Sequence, residues 1–236
     1  MNINNLNLFL NELAASAVLP TTKAIVKIIP ITVKQIKDVV DNTLLVPYFD
    51  VGFKQSAMTV FENNLTFDES VTNKEVTEFD FNLLFPYLKY DGEYDGEPIR
   101  NFVDKPLDVT NLSLDKEITY KNFTFKLKSP TLKLLREHQD FIINKLVINN
   151  EQIENEQEIS TIYYVSELSK YVGSIIYEDK DLLQDQSIEN RLKIIEGMPY
   201  QVATQILDFS SNLEQFIDSH LKNNDKTLSL DMSFFS

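Results

Sequence analysis

Between residues 202 and 221, apolar side chains recur at alternating intervals of four and three. Val202, Ile206, Phe209, Leu213 and Phe216 carry the repeat, and Ala203, Leu207, Ile217 and Leu221 widen it. The spacing matches the turn of an α-helix and puts all of these residues on one side of it. A long helix with so broad a stripe must lay it against the chain's own core or against another protein. Upstream, Ser187 suits the N-cap of a short helix with Ile188, Leu192 and Ile195 facing inward. Gly197 is expected to take the left-handed conformation beyond that helix, and Pro199 to open the long one. Downstream, Leu228, Leu230 and Met232 alternate, which reads as a terminal strand leading to Phe234 and Phe235. Burying a Phe is worth about 1.5–3 kcal/mol, so these rings either pin the terminus or anchor in a partner. As a partner-binding surface, the residues selected are Val202, Ile206, Phe209, Leu213, Phe216, Phe234 and Phe235.

Elsewhere the periodicity changes along the chain. Ile3, Leu6, Leu10, Leu13 and Ala17 fit one amphipathic helix, which Glu12 and the lack of a basic leader distinguish from a signal peptide. Residues 24–31 are β-branched and apolar, with Lys23 and Lys27 outward and Pro30 confining them to an edge or strand end. Thr32 and Gln35 make a capping box for a helix carrying Val33, Ile36, Val40 and Leu44, ending before Pro47. Phe53, Ala57, Val60 and Phe61 mark another helix, and residues 62–74 read as polar turns. Thr77 and Asp80 cap a helix with Phe79, Leu83, Leu84 and Leu88 inward, which Pro86 should kink or stop near Phe85. From Ile118 to Leu127 the period is two, with a tight turn at Lys121-Asn122, so a hairpin is expected. Ser129 and Pro130 read as N-cap and N1 of a helix carrying Leu132, Leu135, Phe141, Ile142 and Leu146. Helix is expected over 159–172, a short strand over 172–177 and a polar loop over 179–186.

These elements imply an α+β fold, mainly helical, with a small antiparallel sheet built from the 24–31 segment, the hairpin and the terminal strand. The acidic stretch 149–158 is the expected boundary between an N-terminal part with the hairpin, 1–150, and a C-terminal helical part, 151–236, within two domains or one continuous one. No apolar run reaches the ~20 residues of a membrane span.

The chemistry is bounded by what the chain carries. Its net charge is −14, with 36 Asp and Glu against 22 Lys and Arg. That argues against nucleic acid and anionic membranes as partners. Cys is absent, which removes disulfides, thiolate metal sites and cysteine nucleophiles. Asp91, Glu93, Asp95 and Gly96 match the first, third, fifth and sixth places of a calcium loop. Phe102 stands where the closing carboxylate should be, and Pro98 occupies the eighth place. His138 and His220 lie beside apolar stripes on separate helices, where a structural role is expected. No nucleophile elbow, zinc helix or phosphate-cradling glycine loop is present. No catalytic residue, cofactor, metal or small-molecule substrate is therefore expected.

Five stretches then fall into a pattern: KIIPITVKQIKDVVD (27–41), TEFDFNLLFPYLKY (77–90), FKLKSPTLKLL (125–135), IIEGMPYQVATQILDFSSNLEQFI (194–217) and LDMSFF (230–235). Their content and order resemble the baseplate-hub assembly proteins of T-even-type contractile-tailed bacteriophages. Some relatives carry a cysteine pair near the last helix. Residues 220–224 hold none here, so no zinc ligand set is implied. The resemblance implies a non-enzymatic protein acting with hub subunits and the tape-measure protein. It would work as assembly chaperone or virion component, in the host bacterial cytoplasm during assembly or in the tail baseplate. Rival readings are a phage or bacterial regulator that binds one protein target, and a metal-dependent hydrolase using loop 91–97.

Overall fold

The computed structural model describes residues 3–44, 49–148 and 156–235. The fold is α+β, and the chain divides into two compact units: Met1–Val109 with Phe216–Ser236, and Thr110–Gln215. This corrects the boundary expected at residue 150. Residues 149–155 lie outside those described. The helices on either side of them both belong to the second unit, because the strand that follows returns to the hairpin that precedes them.

In the first unit, α1 (Ile3–Glu12) ends before β1 (Ala15–Val18), so Ala17 lies on a strand and not on the expected helix. β1 pairs antiparallel with β2 (Ile25–Ile28), which pairs with β3 (Leu65–Phe67). Alternation sets the faces: Val26 and Ile28 are fully buried while Ile25 and Lys27 are exposed. β3 lies within the stretch expected to be turns. α2 (Val33–Leu44) opens with the capping box, Thr32 N–H on Gln35 Oε1 at 2.9 Å and Gln35 N–H on Thr32 Oγ1 at 3.3 Å. Its buried face is centred on Val39 and Thr43, with Ile36 and Val40 half-buried at the edge, so Val33 and Leu44 stand in solvent, contrary to expectation. The expected stop before Pro47 lies outside the described residues. α3 (Phe49–Asn63) packs on α2 and buries Phe53, Ala57, Val60 and Phe61 as expected.

α4 (Glu78–Leu84) carries the expected Thr77–Asp80 capping box and gives way to a 3₁₀ turn, Phe85–Lys89, at Pro86. β4 (Glu93–Tyr94) and β5 (Glu97–Pro98) close a hairpin through Asp95 and Gly96, both at positive φ. α5 (Arg100–Val103) follows.

In the second unit, β6 (Asp115–Tyr120) and β7 (Phe123–Lys128) form the expected hairpin, with Tyr120 opposite Phe123. Lys121 takes φ 52 where glycine is favoured. α6 (Leu132–Ile148) is capped by Thr131, whose hydroxyl accepts from Leu134 N–H at 3.2 Å. The Ser129 cap is thereby corrected, and Ser129 and Pro130 are buried just before the helix. α7 (Glu156–Tyr171) runs straight into β8 (Val172–Tyr177), which pairs with β7, and β9 (Lys180–Asp181) completes the order β6-β7-β8-β9.

α8 (Ile188–Glu196) is capped by Ser187. Gly197 is right-handed, at φ −79, and its N–H turns back to Ile195 and Lys193 carbonyls, so the left-handed cap is corrected too. α9 (Tyr200–His220) starts on the Pro199 carbonyl, which accepts from Val202 and Ala203. Its residues from Phe216 on belong to the first unit. The expected terminal strand over Leu228–Met232 does not form: a short ribbon of β10 (Lys222–Asn223) and β11 (Lys226–Thr227) precedes it, and a 3₁₀ turn, Met232–Phe235, ends the described chain. The cause is local: Asp231 accepts from Ser229 hydroxyl and Ser233 N–H, both at 2.7 Å, which bends the backbone off the strand path. In place of the single expected sheet, the described residues form β1-β2-β3 in the first unit and β6-β7-β8-β9 in the second, beside the two-stranded ribbons β4-β5 and β10-β11 of the first unit.

Candidate functional site

The stripe on α9 is consumed by the chain itself, except at Leu207, which stands in solvent. Val202 and Ile206 are fully buried, and Phe209 and Leu213 nearly so. Phe209 meets Tyr171 edge-on with centroids 6.2 Å apart. Phe216 is half-buried against Phe79 and stacked on His220. Phe234 is fully buried, 5.2 Å from Phe85, and Lys89 Nζ donates to its carbonyl at 2.6 Å. Phe235 is half-buried between Phe53 and Phe85. Val202, Ile206, Phe209, Leu213 and Phe234 are therefore withdrawn as contact residues, since an apolar face that is already buried offers no area to a partner. Phe216 and Phe235 keep only a partial surface.

The acidic loop is the β4–β5 hairpin. Asp95 is paired with Lys226 at 3.1 Å, and Phe102 packs edge-on against Tyr94 as part of the core. Among the described residues no three Asp, Glu or His side chains converge to hold a metal ion.

His138 sits in a sealed polar cluster between α6, α7 and α8. Its Nδ1 is 2.8 Å from Ser166 Oγ, and both residues are almost wholly buried. The spacing is that of a base and a nucleophile, but among the described residues no carboxylate orients the ring through Nε2. The charges acting on it are Arg191 and Lys170, which together with burial push its pKa down to about 4, burial contributing most. Arg191 Nη2 donates to Val172 and Ser169 carbonyls at 2.7 and 3.4 Å, where α7 ends, a favourable place for a cation. Lys170 pairs with Glu167 at 2.6 Å. Among the described residues, His138 Nε2, Gln139 Oε1, Ser169 Oγ and Arg191 Nε have no hydrogen-bond partner. The cluster was missed in the sequence because its members come from three helices.

The surface carries a different signal. Most of the large apolar side chains standing in solvent lie near the start of the chain: Leu8, Phe9 and Leu13, the cross-strand pair Val18 and Ile25, and Val33 and Leu44; the others, Tyr163, Tyr164, Tyr200 and Leu207, lie on α7 and α9. Beside Val18 a cleft of about 190 Å³ opens within the first unit. No family model, curated protein or solved structure matches this chain. No helix among the described residues is long and apolar enough to cross a membrane.

Proposed function

We propose that this chain is a phage tail protein that helps assemble the central hub of the baseplate through protein–protein contacts and transforms no substrate. Its partners are hub subunits and the tape-measure protein, met in the host bacterial cytoplasm and then either left behind or joined in the virion baseplate. The five stretches, in family order, support the reading. The observation that carries it is the run of exposed apolar side chains over residues 8–44, which no part of the described structure covers. Val18 and Ile25 are 49% and 57% exposed and lie opposite each other in register, so they form a continuous patch and not scattered single residues.

The test is affinity capture with the tagged full chain from phage-infected cells, followed by mass spectrometry. Recovery of hub and tape-measure proteins is the expected result. Recovery of one host factor instead would favour a regulator, and recovery of neither would contradict the proposal.

A further inference from the structure

The cleft beside Val18 is lined by the β1–β2 turn, the end of α4 and the side chains of Lys105, Leu107 and Val109. Leu83 and Leu84 are buried at its base. Its polar groups come from Tyr87, His220, Lys23 and Lys105, and none of its lining residues is acidic. In a chain with 36 Asp and Glu, that is a marked local inversion of charge. Tyr87 and Lys105 are engaged: the phenol donates to Val103 carbonyl at 3.2 Å, and Lys105 Nζ donates to the carbonyls of His220 and Lys222. The Lys23 ammonium has no hydrogen-bond or ion-pair partner among the described residues. The residue's backbone stands at φ 60, a left-handed conformation costly for a lysine, held by its N–H on Leu19 carbonyl at 2.9 Å. The turn thus presents an uncommitted cation at the rim. Val18 continues from the cleft onto the exposed face shared with Ile25, and Lys27 follows on that face, where its charge is already met by Asp68, whose N–H reaches the Ile25 carbonyl.

We propose that this cleft and the Val18–Ile25 face dock an acidic, apolar peptide segment of another protein, with one apolar side chain entering the cleft and a flanking carboxylate meeting Lys23. The volume suits a single aliphatic or aromatic side chain and falls below the roughly 300–1,000 Å³ of a small-molecule site. The charge pattern selects the partner. An acidic segment is repelled by most of a −14 chain and accepted at the Lys23 rim of the cleft, which gives register as well as attraction. A basic segment would find attractive sites over the rest of the surface. The inference rests on the protein-contact reading only for the class of partner.

The experiment is selection of a random twelve-residue peptide display library on the purified full chain, followed by anisotropy titration of the enriched peptides. The expected result is enrichment of peptides with Asp or Glu next to Leu or Phe, bound more weakly as salt rises. Lys23→Glu and Val18→Asp should each weaken binding at least tenfold. Both sites are exposed, and Lys23→Gly, which removes the charge and suits the backbone, supplies a variant with no folding penalty and an intermediate loss. Failure to enrich any peptide, enrichment without acidic residues, or binding unchanged by these substitutions would overturn the proposal. No phage protein enters this selection, so its failure would leave the hub reading to its own capture test, and failure of that test would leave this one standing.

Discussion

Asp80 is fully buried, and its carboxylate accepts from four groups. Thr77 N–H and hydroxyl approach at 3.0 and 2.8 Å, Thr21 N–H at 3.0 Å, and Thr21 hydroxyl completes the set. One side chain thus caps α4 and ties it to the β1–β2 turn that carries Lys23. Asp80→Ala leaves several donors unpaired and should cost about 3 kcal/mol, whereas Thr77→Ala loses chiefly a cap and should cost about 1 kcal/mol, both read from urea unfolding. The local half of this arrangement was visible as a T-x-x-D spacing. Its other half, Thr21, lies far away in the sequence, and no local pattern points to it. His138 sets a pH dependence. Its pKa falls to about 4 in the fold against an ordinary 6.5, so the folded state binds the proton less well than the unfolded chain. Stability from the neutral ring is complete above pH 6.5 and is lost as pH falls towards 4. His220 is shifted the same way, by burial first and Lys105 second. The second unit should be about 2 kcal/mol less stable at pH 5 than at pH 7, and His138→Gln should remove most of that difference in urea titrations at the two pH values.

Among the elements, the C-terminal turn departs furthest from its sequence reading. Leu228, Leu230 and Met232 alternate like a strand, yet Asp231 bends the chain into a 3₁₀ turn that drives Phe234 into the core. Phe234→Ala should cost about 3–5 kcal/mol, with a smaller loss for half-buried Phe235→Ala. Truncation after Asn224 should unfold the first unit, seen as loss of amide protection over residues 25–28 and 53–61. A truncated chain with that protection intact would show that the tail is not core. Elements governed by side-chain chemistry close in sequence were legible: the Thr32 and Thr77 boxes, the Ser187 cap, the stop at Pro86 and the 118–127 hairpin. Elements that exist only through distant pairing were not. β1 and β3 are short and weakly patterned, and each is a strand because β2 lies beside it. The α9 stripe was correctly read as helical, but periodicity reports that a face is buried and not what buries it.

At the scale of the whole molecule, the two units were not visible in composition. The acidic stretch at 149–158 looked like a boundary, while the pairing of β8 with β7 places it inside the second unit. The same shift relocates the candidate site. Its expected residues lay on α9 and the tail, and the proposed contact surface lies in the first unit, around Val18, Lys23 and Ile25. That surface was hidden in the sequence because its lysines and apolar residues are ordinary one by one. They acquire meaning when β1 and β2 pair and the neighbouring cleft proves to lack a carboxylate. The most direct measurement is hydrogen exchange of the full chain, alone and with hub subunits and tape-measure protein. The account predicts slowed exchange over residues 15–28. Unchanged exchange throughout, or slowing confined to residues 110–215, would contradict it.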